Sequence, residues 1–135
     1  MASEPRWVSV AAVVALNREE VEKTGEPPRL VDRAALDIAV KRPWNVWVYF
    51  MDRDYATLAM TLLVALAGAK AFAAGNERTA YRAAVALLEA NGFSVDLGAN
   101  RERAEEHLFE YFRGRLSQSG VADWFKMWMA PTASS

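Results

Sequence analysis

The sequence contains no cysteine and only one histidine, His107. Without cysteine there is no disulfide, no thiol nucleophile and no zinc–thiolate site. With one histidine a two-histidine metal site is impossible, and the choice of general bases is narrow. The chain also lacks an excess of charge of either sign. Its 16 Lys+Arg against 17 Asp+Glu leave a net charge of -1. Tight non-specific nucleic-acid binding draws on a strongly basic surface, so no direct nucleic-acid partner is expected. Long apolar runs are missing too. A bilayer-spanning helix needs about 20 mostly apolar residues, and the longest stretch, 58–74, is interrupted by Thr61, Gly68 and Lys70. The opening MASEPRWVSV carries an early acid and no basic region ahead of an apolar core, so it does not read as a secretory signal. A cytoplasmic protein with no membrane partner is the expectation.

What the sequence does have is helix composition. Its 135 residues amount to one domain, and 53% apolar with 24% charged residues are globular proportions. Alanine occurs 25 times, and the few glycines and prolines sit at segment borders. Trp7 and Val8 suit a short extended start. Ser9 can cap a helix from Val10, with Val13, Val14, Leu16 and Val21 as its apolar positions, ending near Gly25 before Pro27-Pro28. Asp32 can cap a second helix in which Leu36, Ile38 and Val40 pack and which Pro43 ends. The aromatic segment 44–50, WNVWVYF, then reads as an apolar loop or short extended segment lying on the core, because a lone strand would have no partner. Asp52 or Asp54 can cap a third helix that is apolar nearly all round and is expected at the centre. A turn at Ala74-Gly75 leads into a fourth helix from Asn76, stopped by Asn91-Gly92. Asn100 can cap a fifth, with Leu108, Phe109, Phe112 and Leu116 inward. Gly120 separates a last helix, and the tail 130–135 is expected to be flexible. The expected fold is one all-α domain over 1–135, a compact bundle of about six helices.

The stretch that carries chemistry is 70–93, KAFAAGNERTAYRAAVALLEANGF. A buried helix ends, a glycine turn follows, and a new helix begins. Backbone N–H groups at a helix start lack intrahelical partners, and with the helix dipole they favour an anion. Gly75 permits close backbone approach, Asn76 can cap or contact a ligand, and Thr79 adds a hydroxyl. Arg78 lies in the first turn, where a cation opposes the dipole and is unexpected unless it faces an anion. The alternative is an ordinary helical corner with a solvated arginine.

At these residues the chain resembles the Fic/Doc (Fido) family, and most closely its death-on-curing branch, whose motif commonly reads HPFxDGNKRTA. Here AFAAGNERTA is followed by a helix ending LLEANG. LVDRAALDIAVKRP resembles the family's upstream helix, often LRDxGLLESALARP. RWVSVAAVVALNREEVEKTG resembles its first strand and helix, and VADWFKMW its closing helix. The similarity spans residues 7 to about 129. It implies an all-α fold in which Phe72 anchors the loop, Gly75 and Asn76 help form a phosphate-binding nest, Arg78 holds nucleotide phosphates, and Thr79 follows it. The implied cofactor is a nucleoside triphosphate. The implied partners are a protein substrate and a small antitoxin whose C-terminal segment folds into a groove of the toxin.

Three motif positions depart. Lys70 stands where the family has its catalytic histidine, Ala74 where it has the carboxylate that holds magnesium or orients phosphate, and Glu77 where it has a lysine. Asn17 stands where the branch often has a histidine in its first helix, and Tyr81 where AMP-transferring members carry a second arginine, Arg82 being one step off. No metal ligand is assigned, and magnesium is in doubt with Ala74 at the acidic position. Base, metal ligand and one cationic contact are the parts of a phosphoryl-transfer site. Lys70 can serve as a base only if burial lowers its pKa by several units; the plainer reading is a lysine snorkelling at a helix end. His107 lies in a different helix, beside acids.

The leading expectation is a death-on-curing-type toxin-like protein of a toxin–antitoxin system whose phosphotransferase or nucleotidyl-transferase activity is lost or altered. One alternative is an active toxin that moves a phosphate or AMP to a protein hydroxyl by a non-standard mechanism. The other is a non-enzymatic interaction module, for which Trp44, Trp47, Trp124 and Trp128 would supply aromatic surface, unless they are core.

Overall fold

A computed structural model describes residues 4–132. The described chain is all-α with a two-stranded ribbon. Six α-helices run in order: α1 Val10–Lys23, α2 Arg33–Tyr49, α3 Tyr55–Ala69, α4 Asn76–Ala90, α5 Arg101–Phe109 and α6 Gln118–Trp128. Strand β1, Phe93–Val95, follows α4, and β2, Met129–Pro131, follows α6. Short 3-10 turns at Gly98–Asn100 and Glu110–Arg113 flank α5.

The caps explain most helix starts. The side chains of Ser9, Asp32 and Asp54 accept from the backbone N–H of Ala12, Ala35 and Ala56, each satisfying one orphan donor of a first turn. Helix α3 packs against α2, α4 and α6 and is the centre that its all-round apolar sequence requires. Leu58, Leu62, Leu63 and Leu66 are buried along it. Buried alanines in α3 (Ala56, Ala59) and α4 (Ala80, Ala83, Ala84) let these two helices approach closely.

Several sequence expectations are corrected. Pro43 does not end α2, which continues through 44–49 with Pro43 buried inside it. Proline removes the N–H that would reach Ala39, but Val46 and Trp47 pack on the core and the Trp47 ring meets Trp7 at 6.1 Å. Tertiary packing outweighs the local break. Ile38 does not pack inward; it is 66% exposed on the solvent side of α2. Gly120 lies within α6, whose cap is Ser117 accepting from the Gly120 N–H at 3.0 Å. Asn100 stands at the cap position of α5 without a side-chain bond, and α5 tightens into a 3-10 turn before Phe112. Trp7 and Val8 lie in the non-helical lead-in to α1, outside any paired strand. Ala130 and Pro131, expected in a flexible tail, pair with β1 in the register Phe93↔Pro131, Ser94↔Ala130 and Val95↔Met129. Residues 133–135 of that tail lie outside the described chain. No helix among the described residues is long and apolar enough to cross a membrane.

Trp124 is buried, so it belongs to the core reading of the tryptophans, while Trp44, Trp47 and Trp128 are half-buried. Its indole Nε1 donates to the Ala104 carbonyl at 2.8 Å, tying α6 to α5. Trp124→Phe removes that donor and leaves a buried carbonyl with one partner fewer. The expected loss is about 1–2 kcal/mol in urea unfolding; an unchanged midpoint would show that the bond contributes nothing.

Candidate functional site

The turn between α3 and α4 is built from backbone geometry. Helix α3 ends with Lys70 in the left-handed region (φ 48°, ψ 45°), and α4 begins from Gly75 at φ 76°. Between them the chain runs beside residues 29–32. Val31 and Asp32 N–H groups donate to the Ala71 carbonyl, Ala73 N–H donates to the Arg29 carbonyl, and Leu30 bridges Phe72. Phe72 is buried, as an anchor should be.

Asn76 does not project toward a ligand. Its Oδ1 accepts from the Phe72 N–H at 3.0 Å and its Nδ2 donates to the Phe72 carbonyl at 2.8 Å, so the amide staples the turn. Thr79 is buried, and its hydroxyl oxygen accepts from Asn17 Nδ2 at 3.2 Å. The same Nδ2 reaches the Ala74 carbonyl at 2.8 Å, so Asn17, itself buried, ties α1 to both sides of the turn. A Cβ at Gly75 would stand 3.2 Å from Val21 Cγ1 and 3.3 Å from Asn17 Nδ2. Glycine is required there both for its φ and for this close approach of α1.

Arg78 faces an anion, and the anion belongs to the protein. Its Nε donates to Glu20 Oε1 and its Nη1 to Glu105 Oε1, both at 3.1 Å. The guanidinium also lies 5.3 Å from the Tyr81 ring centroid and 5.6 Å from that of Phe109. Glu20 comes from α1 and Glu105 from α5, so the contact joins three helices. Further cations close around it. Lys23 Nζ is 2.8 Å from Glu20 Oε2, Arg82 Nη1 3.7 Å from the same atom, Arg82 Nη2 2.9 Å from Glu19, and Arg101 Nε 3.5 Å from Glu105. Burial pushes the Glu20 carboxyl up, but the Lys23 ammonium and the Arg82 and Arg78 guanidinia outweigh it and hold the group below its ordinary value. Burial works against the Arg78 charge as well, and Glu105 and Glu20 reverse that, so its pKa is raised. Burial, then the neighbouring Glu105 charge, push Tyr81 up to about 12.

Lys70, Gly75, Asn76, Glu77 and Arg78, with Ala67 and Phe109, line one open cavity of about 460 Å³. The structure thus brings four of the five expected site residues to one surface and turns the fifth, Thr79, beneath it. Lys70 is exposed, so the buried position that a lysine base would need is not what this turn provides. It forms no ion pair with Glu77 among the described residues. His107 is exposed on α5 and lines neither this cavity nor the larger one beside it. Among the described residues no three His, Cys, Asp or Glu side chains are grouped to hold a metal ion.

Sequence reasoning missed Glu20 and Glu105. A signal for Glu20 was available: Val13, Asn17, Glu20 and Val21 fall on one helical stripe. Polar groups at core positions of such a stripe require buried partners. For Glu105 the local pattern says only that it lies four residues after Arg101.

Compared with known proteins, the sequence matches no protein-family model and no curated protein.

Two outcomes test this geometry. Gly75→Ala should destabilise by about 2 kcal/mol, combining left-handed strain with the contacts to Val21 and Asn17. Gly25→Ala is the control, since Gly25 has φ 75° but nothing within 4 Å of its added Cβ; equal losses would remove the packing argument. Glu20→Gln should cost about 2 kcal/mol at neutral pH. That is less than for a fully buried pair, because the Arg78 side chain is 33% exposed. Because Glu20 titrates lower folded than unfolded, its contribution is present above the ordinary carboxylate value of about 4.3 and fades as pH falls through the folded value. The stabilities of wild type and variant should therefore converge in acid, and a gap independent of pH would contradict the ion-pair account.

Proposed function

We propose that the chain is a death-on-curing-type Fido protein of a toxin–antitoxin pair whose transfer activity is lost or altered. The observation that carries this reading is the double engagement of Arg78 by Glu20 and Glu105. The residue that would hold nucleotide phosphates is neutralised within the protein, beside a turn that has an exposed lysine where the resembling family has a histidine. The glycine turn, the buried Phe72 and the start of α4 at Asn76 support descent from such a site. The missing base and acid speak against ordinary transfer chemistry, since a positioned base contributes about a hundred- to ten-thousand-fold. The active-toxin alternative would need Lys70 or a substrate group to act as base, and a phosphate to reach Arg78 beside its two carboxylates.

A second reading, an interaction module, is favoured by a separate feature. Between α2 and α3 runs an open, largely apolar groove of about 520 Å³, lined by Ile38, Arg42, Val46, Met60 and Val64 among others. Such a groove suits a partner helix, and a small antitoxin is the partner that the resemblance implies. The two readings are compatible in a protein that has kept binding and lost transfer.

Calorimetric titration with ATP, with and without magnesium, tests the first reading. Weak or absent binding that magnesium does not strengthen is expected. Tight, magnesium-dependent binding would overturn it, as would growth arrest on expression that Arg78→Ala abolishes.

A further inference from the structure

We infer that the turn joining α2 to α3 is a lipid-contacting tip that seats on an anionic bilayer surface. The inference rests on no part of the nucleotide-site reading, and it departs from the expectation of no membrane partner, which rested on spanning segments.

Tyr49, Phe50 and Met51 are consecutive and 70%, 78% and 69% exposed. A single exposed apolar side chain is ordinary; three large ones in consecutive positions concentrate apolar surface at one turn. Met51 is held at φ 53°, a conformation that a side chain other than glycine rarely adopts. The turn keeps a large thioether at a position where glycine would sit more easily.

Behind the tip stand half-buried aromatic rings. Trp44, about one turn back along α2, meets Tyr49 edge-on at 6.1 Å, and Trp47, nearer the tip, rests against Trp7. An apolar ring with a polar N–H or O–H is the chemistry that settles at the headgroup level of a bilayer. Each indole carries a cation: Lys41 Nζ lies 5.6 Å from the Trp44 centroid, and the Arg53 guanidinium 4.3 Å from that of Trp47. Neither cation has a carboxylate within 4 Å among the described residues. Of the two acids of the turn, Asp52 keeps its charge there and Asp54 is paired. Asp52 accepts from the Asp54 N–H, and Asp54 caps α3 and pairs with Lys126 at 3.3 Å.

Apolar side chains at the tip, aromatic rings behind them and unpaired cations on the flanks match an anionic interface, with its acyl boundary and negative headgroups. Tyr and Trp also anchor protein interfaces. However, none of the three tip residues lines the α2–α3 groove where a helix would lie, and the unpaired cations call for a negatively charged surface.

The test is co-sedimentation of the full chain with vesicles of phosphatidylcholine alone and of phosphatidylcholine mixed with phosphatidylglycerol. The wild type should pellet with the anionic vesicles only, and less so as salt is raised. Phe50→Asp should abolish pelleting and Phe50→Trp should retain it, with unchanged helical circular dichroism in both. Lys41→Gln and Arg53→Gln should each weaken binding by about fivefold. The inference is overturned if the folded wild type stays in solution with anionic vesicles, or if Phe50→Asp pellets as well as wild type. It is equally overturned if the wild type ignores vesicles but self-associates through a surface that Phe50→Asp disrupts, which would make the tip a protein interface.

Discussion

A guanidinium in the first turn of a helix sits against the positive end of the helix dipole. Arg78 occupies that place in α4, and the arrangement around it follows from making that place tenable. Two carboxylates from other helices, Glu20 and Glu105, reach it at 3.1 Å. For Glu20 to do so, α1 must lie close along the start of α4. That closeness sets the 3.2 Å clearance at Gly75, and it lets Asn17 bond both the Ala74 carbonyl and the Thr79 hydroxyl. The turn, the helix pair and the charge network are one constraint seen from three sides.

Glu20 is buried and shared among Arg78, Lys23 and Arg82, whose charges offset its lost hydration. A buried ion pair is often near neutral in net stability, while its disruption is costly because one charge stays behind unpaired. The network joins one face of α1 and the start of α5 to the first turn of α4.

The helical architecture was legible because its signals are local. Ser9, Asp32 and Asp54 mark helix starts, Asn91-Gly92 marks a stop, and the all-round apolar α3 has to be central. What was misread depends on contacts distant in sequence. Pro43 is a breaker by local rules, but the packing of Val46 and Trp47 carries α2 past it. Strand β1 is too short to be noticed without β2, which lies more than thirty residues away. At the site, the candidate residues were found from the turn and the helix start. Their engagement was not, because Glu105 reaches Arg78 across 27 positions and Glu20 across 58. The composition did hold one hint. An arginine opposing a helix dipole needs an anion, and the sequence left open whether that anion is a ligand or a side chain.

The internal anion changes the energetics of any external one. A phosphate approaching Arg78 would meet a guanidinium already charge-assisted by two carboxylates. Nε and Nη1 are taken, so it would reach Arg78 through the remaining guanidinium donors, beside Glu20 and Glu105 but also beside Lys23, Arg82 and Arg101. The helix terminus is modest compensation, because it contributes about 0.3–1 kcal/mol when solvated. Glu77, in the same first turn, adds a further negative charge where the resembling family has a lysine. The departures pull in different directions: Glu77 adds negative charge and Ala74 offers no metal ligand, while Lys70, exposed at the same cavity, adds a cation. Of the side chains that keep the resemblance, Phe72, Gly75, Asn76 and Thr79 build the turn and its packing on α1, and Arg78 is held by carboxylates from two other helices.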